Sequence, residues 1–310
     1  MQQVKQVNRF FPFLLWALLS LQRQNAVNAS LDIEIMENYK DKRVIKNLKA
    51  KDMGLLHNTL MYRVHESVLV NRPKTFEDFD NIVYDEVSVL CDDDDGGGFG
   101  FCKKDIVRDE IKKNNLQVLE QFRQGRSFDG TSDFPRNLPK YLREYFTRID
   151  DATAILESNE VDSLEMYKQA LEQISNEVEE SKTLSERHKF AIQALASIAN
   201  GSGTFWKQVE TGEDSILREL SLLENQDHPD RQLQIIPAFN FTFDIVEVTI
   251  SDILGAIRRT FPNPVAVIMF AINPVSWATL VPDLVIGSIL GSLAATGMVI
   301  FLPKIPDLIM

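Results

Sequence analysis

The chain has 310 residues, 44% hydrophobic and 25% charged, which is enough apolar material for one large or two modest globular cores. Its formal net charge is −12. An acidic surface is repelled by nucleic acid and by anionic membranes, so a general nucleic-acid binder is excluded as an expectation.

The first 29 residues have three parts. Lys5 and Arg9 give a positive start, Phe10 to Leu21 is apolar, and a polar stretch ends in Val27-Asn28-Ala29. This is the pattern of a secretory signal peptide, with small residues at the −3 and −1 positions, and it predicts cleavage after Ala29. The apolar run is too short to cross a ~30 Å hydrocarbon layer as a helix. A cluster of Lys40, Lys42, Arg43, Lys46, Lys49 and Lys51 follows and reads as a solvated helix face.

Residues 44–71 carry apolar residues at three- to five-residue spacing, from Val44 through Leu56, Leu60 and Val64 to Val68. Gly54 is a candidate break in this stretch, and Pro73 ends it. His57 falls between apolar positions and reads as a helix-surface or boundary residue. Thr75 with Asp78 marks the next helix start, followed by Phe76, Phe79, Val83, Val87 and Leu90 on one helical face. A strand over 82–90 is the alternative, because β-branched residues are frequent there.

Cys91 and Cys102 are the only cysteines. In an oxidising lumen so close a pair predicts a disulfide. The loop between them holds four aspartates, Asp92 to Asp95, then Gly96-Gly97-Gly98. Adjacent carboxylates are a conceivable site for a hard cation, but no EF-hand register fits: with Gly97 at the obligatory glycine the twelfth ligand is Lys103. The loop reads instead as a solvated tip pinned by the disulfide. It also lacks the lysine and spacing of a phosphate-binding loop.

A weaker helix is predicted over 103–124, a loop over 125–136, and a clean amphipathic helix over 138–156. Residues 160–181 place Val161, Leu164, Tyr167, Leu171, Ile174 and Val178 near a heptad seam. Thr183 to Glu186 fits a capping box, and the helix after it is expected to stop at Asn200-Gly201, with glycine as the C-cap. The short connection predicts an antiparallel helical hairpin. A further capped helix is expected from Thr211, and 226–232 reads as a linker. In 233–260 the apolar residues Phe239, Phe241, Phe243, Ile245, Val246, Val248 and Ile250 nearly alternate, which predicts an amphipathic strand or strap.

From Thr260 to Met310 only Asp283, Lys304 and Asp307 are charged. Leu284 to Leu302 is uncharged and free of proline; as a helix starting near Pro282 it would be about 28 Å long, close to one membrane crossing. Gly287, Gly291 and Ala295 recur at four-residue spacing and would let a second helix approach closely, in a bilayer or in a soluble core. A neighbour from the 138–199 bundle is the expected occupant of that groove in the soluble case. Lys304 and Asp307 argue against a lipid-anchor signal.

The sequence therefore predicts an all-α fold, a helical bundle with a helical hairpin and an apolar, glycine- and alanine-rich C-terminal helix. The organisation is a signal peptide at 1–29, an N-terminal helical region at 30–124, a bundle at 137–226, a linker and strap at 227–260, and an apolar tail at 261–310 with a candidate membrane segment at 284–302. Asn200 and Asn240 head Asn-x-Ser/Thr sequons and are candidate glycosylation sites. His57, His65, His188 and His228 show no metal-ligand spacing, so no metal, cofactor or catalytic set is predicted. The leading expectation is a non-enzymatic protein of the secretory pathway, extracellular or membrane-anchored, with its tail engaging a membrane, a protein partner or a second copy. The alternatives are a soluble secreted protein with the tail in its core, a membrane-active pore former, and an enzyme for which the sequence offers no support.

Overall fold

A computed structural model describes residues 47–71, 73, 75–91, 104–123, 138–157, 162–211, 245–261 and 277–293. Among these the fold is all-α. The helices are α1 (Met53–Asn71), α2 (Phe76–Val87), α3 (Lys104–Arg123), α4 (Lys140–Thr153), α5 (Ser163–Glu180), α6 (Glu186–Thr211), α7 (Ile245–Thr260) and α8 (Trp277–Ser292). Short 3₁₀ turns at Ala50–Asp52, Ser88–Leu90 and Ala154–Glu157 lead into α1 and extend α2 and α4.

Local chemistry explains several boundaries. Thr75 starts α2 with a reciprocal cap: its Oγ1 accepts from the Asp78 N–H at 3.1 Å, and the Asp78 carboxylate accepts from the Thr75 N–H at 3.0 Å. The helix at 82–87, rather than a strand, follows the three- and four-residue spacing of Phe79, Val83 and Val87, all buried. Helices α5 and α6 form the expected antiparallel hairpin. Gln193 on α6 donates to the Ser175 carbonyl and to Glu179 across the seam, and Lys189 reaches the Glu179 carbonyl. The cap of α6 is Ser185 and not Thr183, because the Ser185 hydroxyl is the one that accepts from the His188 N–H.

Helix α6 is central among the described helices and packs on α1, α4, α5 and α7. Its expected end at Asn200-Gly201 is corrected: the helix runs on to Thr211. Gly201 is there for close approach and does not turn the chain. A Cβ on Gly201 would lie 2.6 Å from the Gly54 carbonyl oxygen, so α1 and α6 cross backbone to backbone. For the same reason Gly54 does not break α1 but sits in its first turn, with its N–H donating to Ser197 Oγ at 2.9 Å.

The strap expected over 233–260 is also corrected for its described part: Ile245–Thr260 is helix α7. The near-alternation of Ile245, Val246, Val248 and Ile250 misled because α7 is buried over most of its circumference, including Thr249, Ser251 and Asp252. Packing against α6 and α8 overrides the β-propensity of its Val and Ile residues.

Helix α8 begins at Trp277, earlier than expected, with Pro282 inside it. Its neighbour is α7, with which it forms the most extensive helix pair among the described residues, rather than the 138–199 bundle. Leu284, Val285, Ile286, Ile289 and Leu293 are fully buried, so α8 is an internal element of the described fold. No described helix is long and apolar enough to cross a membrane. Residues 294–302 of the candidate membrane segment lie outside the described residues, as do the signal peptide and the expected helix after Thr211.

Candidate functional site

The close approach of α7 and α8 rests on glycine. A Cβ on Gly255 would lie 2.1 Å from the Gly287 carbonyl oxygen, and one on Gly291 would lie 2.1 Å from the Ser251 carbonyl oxygen. Gly287 and Gly291 thus line the α7 contact, while Ala295 lies outside the described residues. This contact brings side chains from separate helices onto one carboxylate.

That carboxylate is Asp252 on α7, fully buried. Ser202 Oγ on α6 donates to its Oδ2 at 2.6 Å, and Ser292 Oγ at the end of α8 donates to its Oδ1 at 2.5 Å. His57 on α1 places Nε2 3.4 Å from Oδ2. The surface or boundary position expected for His57 is therefore corrected: it is fully buried, because α1 is covered there by α6 and α8. On its other side His57 Nδ1 lies 3.0 Å from Asn58 Oδ1, while Asn58 Nδ2 donates to the Gly201 carbonyl at 3.0 Å. Tyr167 on α5 closes the centre. Its hydroxyl donates to the Ala199 carbonyl at 2.7 Å, and burial, with the Asp252 charge adding to it, holds its pKa well above the ordinary phenol value.

Two turns along α7, Arg259 forms a second polar contact. Its Nε meets Asp283 Oδ1 of α8 at 3.1 Å, and its Nη1 meets Glu110 of α3. Burial pushes the Asp283 carboxyl up to about 6, against the opposing effect of Arg259. Burial likewise lowers Arg259, with Asp283 opposing. The α7–α8 pair is thus tied to α1 and α6 through Asp252 and to α3 through Arg259, while Asp283 joins α8 to α7.

Serine, histidine and aspartate together invite comparison with a nucleophilic triad, but the roles differ. Both serine hydroxyls direct their protons to Asp252, so the arrangement pairs no serine with an imidazole base. Ser202, Asp252, His57 and Ser292 are all at 0% exposure. What the arrangement does chemically is satisfy a buried carboxylate. Removing one such donor from a buried group costs about 1–3 kcal/mol. Among the described residues no group of three or more His, Cys, Asp or Glu side chains is placed to hold a metal ion.

The residues singled out from sequence fall elsewhere. Cys91 is buried just after the 3₁₀ turn that ends α2; Cys102 and the aspartate loop lie outside the described residues. Asn200 sits half-buried within α6, and the Ser202 of its sequon is the one bonded to Asp252. Asn240 lies outside the described residues. Compared with known proteins, the chain matches no family model, and no curated protein or solved structure is significantly similar to it.

Proposed function

We propose that this is a non-enzymatic helical protein of the secretory route whose C-terminal helix serves as an internal strut and not as a membrane anchor. The observation that carries this reading is the environment of α8. Its apolar residues Leu284, Val285, Ile286, Ile289 and Leu293 are buried and Leu290 is partly so, its glycines abut α7, and its polar residues Asp283 and Ser292 have partners within the fold. A bilayer-spanning helix would leave part of that apolar surface for lipid, and its small-residue face for a second helix. Here α7 already occupies that face, which argues against self-association through the Gly287–Gly291 groove. The sealed carboxylate, with its serines turned away from histidine, supports a structural role for the polar centre. On the same reading Cys91 is joined to Cys102 and the chain matures at Ser30.

Detergent-phase partitioning of the full-length protein tests the strut. The protein should stay in the aqueous phase and remain extractable from membranes by carbonate. Partitioning into detergent, abolished by deleting residues 283–310, would overturn the strut and restore the anchor.

A further inference from the structure

The strongest unexplained feature is the gap between His57 Nε2 and Asp252. Nε2 is fully buried and makes no hydrogen bond, yet it faces Asp252 Oδ2 at 3.4 Å. The other face of the ring fixes what this gap must contain. Asn58 donates its amide nitrogen to the Gly201 carbonyl, so its Oδ1 is the atom turned to His57 Nδ1. An amide oxygen only accepts, so Nδ1 must carry a proton. A neutral imidazole protonated at Nδ1 has a bare lone pair at Nε2. That lone pair would then oppose a carboxylate that already accepts from Ser202 and Ser292.

We propose that His57 and Asp252 form an obligate one-proton site: a single proton held between Nε2 and the carboxylate joins α1 to the α7–α8 hairpin. The common alternative, a neutral imidazole donating from Nε2 with Nδ1 bare, is blocked by Asn58. With one proton the pair is uncharged overall, whether the proton resides on nitrogen or on oxygen. With none it is a buried anion with two acceptors opposed, and with two it is a buried cation; both are costly in this environment. The titratable groups on the surrounding elements are engaged elsewhere. Tyr167 on α5 donates to Ala199, Asp52 ahead of α1 accepts from the Lys49 N–H, and Arg259 on α7 is held by Asp283 on α8 and Glu110 on α3.

The test is nuclear magnetic resonance of the full-length chain carrying H65Q, H188Q and H228Q, which leaves His57 as the only histidine. The expected result is a protonated Nδ1, with Nε2 either protonated or accepting from a protonated Asp252 carboxyl. A bare Nδ1 overturns the proposal, and so does a bare Nε2 beside an ionised Asp252. A second variant removes the need for the shared proton: in Asp252→Asn the amide nitrogen donates to Nε2, which should then be observed unprotonated with Nδ1 still protonated. An Nε2–H imidazole in that variant would equally overturn it.

Discussion

Gly255 and Gly287 meet with almost no space between their backbones: a Cβ on Gly255 would stand 2.1 Å from the Gly287 carbonyl oxygen, and one on Gly287 would stand 2.4 Å from the Gly255 carbonyl oxygen. The obstructing atoms are backbone and cannot swing aside. Any side chain here therefore pushes α7 and α8 apart, and it does so between the Asp252–Ser292 and Arg259–Asp283 contacts.

Gly255→Val and Gly287→Val should each destabilise the protein by at least the roughly 1–3 kcal/mol of an overpacked contact. Urea unfolding measures the loss. Glu172→Ala on the exposed face of α5 should change stability by less than about 0.5 kcal/mol. Equal effects at all three positions would contradict the close contact.

Asp283 predicts a specific pH dependence. Burial raises its carboxyl from 3.8 to about 6, so the folded state holds this proton more tightly than the unfolded chain does. The stabilising contribution of the protonated side chain is complete at low pH, near the unfolded value, and is lost as pH rises through the folded one. Relative to Asp283→Asn, the wild type should therefore lose up to about 3 kcal/mol between pH about 4 and 7, at 1.36 kcal/mol per unit. Parallel urea titrations across that range give the difference. A gain with rising pH would mean that attraction to Arg259 outweighs burial.

The parts of this fold legible in sequence are those where one helix face meets solvent. The Thr75 cap, the α5–α6 hairpin and the amphipathic α4 all carry a contrast between buried and exposed positions. Helix α7 is masked in sequence by its β-branched Val and Ile residues, which favour strand until tertiary packing overrides them, and Gly54 and Gly201 are ambiguous because a glycine signals a turn and a close crossing alike. The carboxylate centre was missed altogether. His57, Ser202, Asp252 and Ser292 are widely separated along the chain and lie on separate helices, so no local spacing links them. The available hint was compositional: Asp252 is the one charged residue from Val248 to Ile257, where only a buried partner makes a charge tolerable.

The two serines on Asp252 should matter far more than another buried serine on α8. Ser202→Ala and Ser292→Ala each remove a donor from the carboxylate, a loss of about 1–3 kcal/mol for a buried group left unsatisfied. Ser288 is equally buried, but its hydroxyl only returns to the Val285 carbonyl of its own helix. Ser288→Ala should accordingly be much milder. Thermal and urea unfolding of the three alanine variants rank them, and a Ser288 effect as large as the others would remove Asp252 from its place as the organising charge.

The crossing of α1 and α6 sets two effects of opposite sign against each other. Gly54→Ala and Gly201→Ala each add helix propensity, worth up to about 1 kcal/mol in an exposed helix. At this crossing the new Cβ of residue 54 would stand 2.1 Å from the Ser197 carbonyl oxygen, and that of residue 201 would stand 2.6 Å from the Gly54 carbonyl oxygen. Spreading the helices would also open the clip in which Ser197 Oγ accepts from the Gly54 N–H and donates to the Lys51 carbonyl at 2.7 Å. The steric and hydrogen-bond losses together exceed the propensity gain, so both variants should be less stable than wild type. Their effects should also be non-additive, because once the first methyl has forced the helices apart the second meets less resistance. A double-mutant cycle in urea measures this coupling: the double variant should lose less than the sum of the single losses. Simple additivity, or stabilisation by either alanine, would show that α1 and α6 do not touch through these glycines.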